Sequence, residues 1–282
     1  MFRISVPSHF LGACLAATVC WTAAAQEKSP PESYPFAGGT LTVTENEDFE
    51  KVLAFDGREL ARNYAVYFDR TVELGETTVA LFWVGDGGNA CGPATAIVWK
   101  PKDGEVTADM VGEEDCGTPP ASATTDSLYF VPYLVPGDSR PVQVWSPDRG
   151  LRLAGMLSFV PQPDTGWGDV DPDKYDHIID AFSNEAVYDA ATRLLGDKLN
   201  EVVTGLLVGG SPEKTETGVF YGSGCVPHAC GSADAFMAVD PKGRKVYFAQ
   251  TGEQPEPNAW PALKSWPLLI RAAMKTALHP AQ

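Results

Sequence analysis

The chain has 282 residues, 44% of them hydrophobic and 21% charged, which suits a packed globular protein and is too apolar for a disordered one. Its 37 acidic and 21 basic residues leave a formal net charge of −16. That balance argues against nucleic acid and against an anionic membrane surface, and it favours a cationic partner.

Residues 1–25 read as a secretory signal peptide. Arg3 is their only formal charge, Phe10 to Val19 is an apolar run, and Ala23-Ala24-Ala25 offers a small-residue cleavage site before Gln26. The run is too short for a membrane span. A periplasmic or secreted protein is therefore expected, and losing Arg3 takes its charge from −16 to −17. Leu11-Gly12-Ala13-Cys14 also carries the small residues that precede a lipidated cysteine, but with very little apolar sequence before it. Export leaves Cys91, Cys116, Cys225 and Cys230, which allow three pairings. An oxidising compartment favours disulfides, and sequence locality favours Cys91–Cys116 and Cys225–Cys230.

Residues 26–37 form a polar, proline-bearing stretch expected as a flexible lead-in. From Gly38 the texture is strand and turn. Thr40 to Thr44 alternates, Leu53-Ala54-Phe55 runs into the turn signal Asp56-Gly57, and Tyr64 to Phe68, Thr77 to Val84 and Thr95 to Trp99 are rich in β-branched and aromatic residues. Leu128 to Val135, Val142 to Trp145 and Leu151 to Val160 are further strand candidates, with Pro132, Pro136 and Pro141 at edges or strand ends. Residues 38–160 are thus expected as a mostly-β domain, a sandwich or open barrel. It has no histidine, its acids are scattered, and no catalytic constellation appears in it.

Residues 161–168, P-Q-P-D-T-G-W-G, have the composition of a linker. Beyond them Asp173 to Phe182 carries apolar residues three and four apart, which predicts a helix, and Asn184 is expected to cap a second helix through about Leu195. The helical spacing continues from Leu199 to Leu207 and ends at Gly209-Gly210-Ser211-Pro212. Ala235 to Val239 and Lys245 to Ala249 flank Asp240-Pro241-Lys242-Gly243, a hairpin signal. Pro267 is expected to open a last helix with Leu268, Leu269, Ala272, Ala273 and Ala277 on its apolar side. The fold class that follows is α+β: a mostly-β domain, then at residues 169–282 an α+β domain with an antiparallel sheet and flanking helices.

The stretch with most chemical content is Tyr221 to Asp234, Y-G-S-G-C-V-P-H-A-C-G-S-A-D. Cys225 and Cys230 bracket Val226, Pro227, His228 and Ala229, and Gly222, Gly224 and Gly231 let the backbone turn on both sides. If the cysteines bond, His228 sits at the tip of a small ring whose value is to hold one side chain in one pose. The residues alone leave two readings open: a surface turn with a solvent-facing histidine, or a binding loop. A zinc site would crowd Cys225, His228 and Cys230 onto one turn with no fourth ligand, and four intervening residues do not suit a redox pair. For a Ser/His/Asp hydrolase the mature chain offers only His177, His228 and His279, with no G-x-S-x-G elbow. Asp169 to Tyr175 imitates a calcium loop, but Lys174 stands where glycine is needed and Asp180 where a bidentate glutamate belongs. No metal and no cofactor are expected.

At C-x-P-H-x-C, set between a helical segment and a hairpin, the chain resembles the periplasmic inhibitors of C-type (vertebrate) lysozyme, the Ivy proteins. The resemblance runs from about Asp169 to the C-terminus. The family's loop reads Cys-Lys-Pro-His-Asp-Cys and then glycine; Cys225, Pro227, His228, Cys230 and Gly231 match, whereas Val226 and Ala229 replace the lysine and the aspartate. The hairpin D-A-F-M-A-V-D-P-K-G-R-K-V-Y-F-A is similar as well. The resemblance implies a non-enzymatic inhibitor whose loop plugs the cleft of a C-type lysozyme or another muramidase, His228 facing the paired catalytic carboxyls. The two replacements leave the cognate enzyme open, a lytic transglycosylase of the producing cell included. A homodimer is compatible with the sequence. Two other classes remain: a non-inhibitory envelope adaptor that docks another protein through the same loop, and an exported hydrolase with His228 as general base.

Overall fold

The computed structural model of the chain describes residues 31–88, 91–113 and 117–278. The expected signal peptide, Cys116 and His279 lie outside them. Among the described residues no helix is long and apolar enough to cross a membrane.

Three four-stranded antiparallel sheets come first. β1 (Glu32–Phe36), β2 (Gly39–Glu45), β3 (Lys51–Phe55) and β4 (Arg58–Asn63) form one in chain order. β5 (Ala65–Leu74), β6 (Thr77–Gly85), β7 (Ala94–Trp99) and β8 (Thr107–Val111) form the next. β9 (Ala121–Ala123), β10 (Leu128–Phe130), β11 (Ser139–Ser146) and β12 (Gly150–Ser158) form the third. Two-residue turns set the register of the first sheet. Phe36 pairs with Gly39 and Phe55 with Arg58. The residues between them, Ala37-Gly38 and Asp56-Gly57, all have positive φ, as hairpin turns that match strand twist require.

The middle sheet is buried on both faces. Ala80, Phe82, Val84, Ala96 and Val98 pack with Leu41, Val43 and Leu53 of the first sheet. The alternating Val79, Leu81, Ile97 and Val111 pack with Leu128, Phe130 and Trp145 of the third. This explains why β6 and β7 read as unbroken apolar runs rather than as half-buried strands. The fully buried Trp145 donates from Nε1 to Asp109 Oδ2 at 2.7 Å and so ties the third sheet to β8. The result is a stack of three sheets with two cores, one layer more than a simple sandwich.

Within the stretch expected as a flexible lead-in, residues 32–36 are ordered as a strand. This strand pairs with β2 along its length. Phe36 is buried and the Tyr34 ring stacks on Phe68 at 4.4 Å, so the two aromatics hold a polar-looking segment in the sheet. Burial and a 2.6 Å hydrogen bond to Glu32 push the Tyr34 phenol up to about 12.

The second half is a sheet with helices on both faces. Its elements are α1 (Glu185–Leu195), α2 (Leu199–Thr204), β13 (Val208–Gly209), β14 (Glu213–Lys214), β15 (Phe220–Cys225), β16 (Ala235–Asp240), β17 (Lys245–Gln250), β18 (Asn258–Trp260) and α3 (Leu268–Leu278). The sheet order is β13-β15-β16-β17-β18, with β14 also pairing with β15. Val187, Ala191, Val202 and Val203 cover Met237, Val239 and Phe248 on one face. Ile270, Met274 and Leu278 cover Phe236, Ala238 and Ala249 on the other.

Two helix expectations need correction. Residues 173–182 do not form one α-helix; 3-10 turns span Pro172–Lys174 and Ile178–Ser183, with extended backbone at His177. The side chains of Asp171 and Asp180 accept from Asp173 N and His177 N, local bonds that compete with a continuous helix. In α3 the packed stripe is Ile270, Met274 and Leu278, four apart, with Ala273 and Ala277 beside it. Leu268 and Leu269, expected on that stripe, are 76% and 57% exposed.

The linker-like residues 161–168 are strapped to the start of α1. Gln162 N donates to Ser183 O at 2.8 Å, Glu185 N to Thr165 Oγ1 at 2.8 Å, and Asn184 Nδ2 to Gly166 O at 2.9 Å. Nearby, Asp138 accepts from Arg140 Nε at 2.9 Å and from the Asn200 amide on α2. The buried Asn184 also caps α1, its Oδ1 accepting from Val187 N at 3.1 Å. Asn184→Ala should therefore lower the unfolding free energy by about 1–2 kcal/mol, measured as an earlier urea midpoint. Asn184→Ser, which keeps a capping oxygen and loses the bond to Gly166, should recover part of the loss.

Candidate functional site

β15 ends at Cys225 and β16 begins at Ala235, and the connection between them carries the cysteine motif. Cys225 and Cys230 form a disulfide with their Cα atoms 4.9 Å apart. Cys225 is buried against the fold, whereas Pro227, His228, Ala229 and Cys230 are exposed. Inside the ring Ala229 N donates to Val226 O at 3.0 Å, closing a four-residue turn with Pro227 second and His228 third. His228 has φ +62. Proline second and a left-handed residue third is the pattern of a type II turn, in which the third place is normally glycine.

The turn is braced from outside. Ser232 Oγ donates to Ala229 O at 2.7 Å, Gly231 N to Asp234 Oδ1 at 2.7 Å, and Thr251 N of the strand connection to Asp234 O at 2.9 Å. Asp234 is not among the loop residues that the motif points to; its signal in the sequence is an aspartate three residues after a glycine and one before a strand. The His228 imidazole itself has no hydrogen-bond partner among the described residues, so both ring nitrogens are free for a partner.

The root of the loop depends on close approach. A Cβ on Gly224 would lie 2.7 Å from the Leu206 carbonyl oxygen, and one on Gly222 would lie 2.7 Å from Ile178 Cβ. Val208 and Gly209 then pair with Cys225 and Gly224, clamping the strand that delivers the disulfide. His177 belongs to this clamp. Its Nδ1 lies 2.8 Å from Gly209 O, an acceptor only, so that nitrogen carries the proton and donates.

The other sequence candidates are spent on local structure. Asp169 Oδ2 accepts from Gly166 N at 2.8 Å, Asp180 Oδ2 from His177 N at 2.8 Å, and Asp171 pairs with Lys174 at 3.2 Å. The Lys174 ammonium holds the Asp171 carboxyl below the usual carboxylate range. Among the described residues no group of three or more His, Cys, Asp or Glu is placed to hold a metal ion. Tyr221 donates to Glu213 Oε2 at 2.9 Å, and burial together with that carboxylate raises its phenol. Cys91 is disulfide-bonded; its expected partner, Cys116, lies outside the described residues.

The C-terminal half matches the inhibitor of vertebrate lysozyme (Ivy) family, over residues 186–280. The disulfide loop, the sheet that carries it and all three α-helices except the first residue of α1 lie within the Ivy span. Residues 37–158, the three stacked sheets apart from β1, match a Y4bG N-terminal domain. The uncharacterized protein y4bG of Sinorhizobium fredii is 26% identical over 230 residues, covering 82% of this chain and 84% of that protein.

Gly224→Ala tests the root of the Ivy-like loop. Backbone lies against the missing side chain, so the strand must shift, and the variant should lose about 1–3 kcal/mol in denaturant unfolding. Gly231→Ala, where open space surrounds the Cβ position, meets only the strain of its φ of +93 and should lose less.

Proposed function

We propose that the protein is an exported inhibitor of C-type lysozyme or a related muramidase, and that the Cys225–Cys230 loop is its plug. The observation that supports this most is an exposed, unpartnered imidazole on a braced turn inside a segment that matches the Ivy family. The enzymes in question cut glycan with two carboxyl groups facing each other across a cleft. A side chain that offers two nitrogens at opposite edges of one ring can bond to both. His228 takes that position, donating from its protonated nitrogen and, as imidazolium, from both.

The plug works by occupation, and no bond of the inhibitor is made or broken. The turn makes this cheap in entropy, because the disulfide, Pro227 and the bonds from Ser232 and Gly231 fix the ring's base before the partner arrives. Val226 and Ala229 give the turn apolar shoulders. They select an enzyme whose cleft rim is apolar beside the carboxyls, which sets the choice of muramidase. Net charge completes the match: the exported chain, at −17 once Arg3 is removed with residues 1–25, draws a basic enzyme by long-range attraction, and salt weakens that attraction. Residues 1–25 supply export, and a Cys91–Cys116 bond ties the loop after β6 to the chain after β8 in the oxidising compartment.

The test uses the conformation of His228. Glycine at this place removes the imidazole and suits the left-handed backbone better, so His228→Gly should fold at least as stably as the wild type. Its inhibition of lysozyme turnover should fall about 30-fold or more, the effect of losing a central interface residue. If the wild type slows no C-type lysozyme or other muramidase, or His228→Gly slows it equally well, the reading is wrong.

A further inference from the structure

β16 runs from Ala235, beside the disulfide loop, to Asp240 at the opposite end of the sheet, where Pro241, Lys242, Gly243 and Arg244 turn the chain into β17. Asp240 Oδ1 accepts from Gly243 N at 2.8 Å and shapes the turn. Arg244 follows with φ +52, a left-handed conformation that a long side chain rarely adopts.

Beside it is a groove of about 400 Å³ between α1 and the start of β17. Arg193, Arg244 and Lys245 line it together with Leu194, Val246 and Pro261, and no acidic residue does. That is an inversion of the chain's charge, since acids outnumber bases 37 to 21 overall. Arg193 has only an exposed 3.8 Å pair with Asp189, which holds it weakly. Arg244 and Lys245 have no ion-pair partner among the described residues.

We infer that this groove binds a small amphiphilic oxyanion, a carboxylate or phosphate ester whose apolar body lies on Ala190, Leu194 and Pro261. Guanidinium groups bind either oxyanion through paired N–H donors. The groove is shallow and open to solvent, so the ligand's far side stays in water. The six residues of β16 separate the groove from the disulfide loop by about 20 Å. Both ends can therefore be occupied at once, and the inference does not rest on lysozyme inhibition.

Calorimetric titration of the purified protein with octyl phosphate, octanoate, octanol and inorganic phosphate decides it. At least one octyl anion should bind one to one and about tenfold more tightly than octanol or inorganic phosphate, and which anion does so identifies the head group. Arg193→Gln and Arg244→Gly should each weaken that binding about tenfold, the loss of one charge-assisted contact. Arg244→Gly should keep or raise the thermal midpoint, because glycine suits the left-handed backbone, and should leave any muramidase inhibition unchanged. The inference fails if neither anion binds, if octanol binds as tightly as the anions, or if both variants keep wild-type affinity.

Discussion

The second half of the molecule is organised by an approach that leaves no room for a side chain: Gly224 of β15 against the Leu206 carbonyl at the end of the helical pair. Because the backbones touch there, Val208 and Gly209 can add to the sheet edge and hold Cys225 from the side that β16 does not reach. The disulfide then starts from a fixed sulfur rather than from a mobile strand end. His177, donating to Gly209, pins the same edge from the 3-10 segment. The order of cause runs from a missing Cβ to a short strand, from the strand to a buried cysteine, and from the cysteine to an oriented histidine. The disulfide alone would close a ring without aiming it.

Burial on both faces is the second constraint, and it acts in both halves. β6 and β7 lie between two sheets, and β16 and β17 lie between α1–α2 and α3. A strand covered twice cannot slip by a residue without driving an apolar set into the wrong core, so its register is firmly held. That rigidity carries to the ends of β16, where the two exposed features sit: the disulfide turn and the Arg244 turn. The segment between the halves is held as well, since residues 162–166 bond to the start of α1 and Asp138 receives the Asn200 amide.

Much of this was legible in the sequence, and what was not has a physical cause. Asp56-Gly57 and Asp240 to Gly243 announce hairpins because few residues tolerate those turns. Asn184 announces a helix start because its short amide reaches the backbone two to three residues on. The cysteine motif, read together with the expected export, favours a closed loop, and the disulfide is there. By contrast, β1 is a strand because Tyr34 and Phe36 find distant aromatic and apolar neighbours, which local composition does not reveal. Residues 173–182 have helical spacing, yet their aspartates satisfy nearby N–H groups and break the helix into turns. In α3 two leucines lost the buried stripe to Ile270, Met274 and Leu278, a choice made by the sheet beneath. Periodicity records which residues are apolar, but the opposing surface decides which of them are covered.

The left-handed residues show how local cost is distributed. Ala37 and Asp56 adopt positive φ inside two-residue hairpin turns, where register and twist demand it. His228 and Arg244 adopt it at opposite ends of one strand, on turns where glycine would fit with less strain. Each is an exposed residue with chemical capacity, and each is supported by short bonds from a neighbouring carboxylate or hydroxyl: Asp234 and Ser232 around the first turn, Asp240 at the second. Keeping a side chain where a hydrogen atom would be more stable costs on the order of 1 kcal/mol per site. That cost offsets part of the stability that the doubly covered strands provide, and it is spent where the side chain faces outward. Stability and presentation are opposed at these two positions, so substitution by glycine separates them cleanly, which alanine does not, because alanine keeps the backbone strain while it removes the functional group.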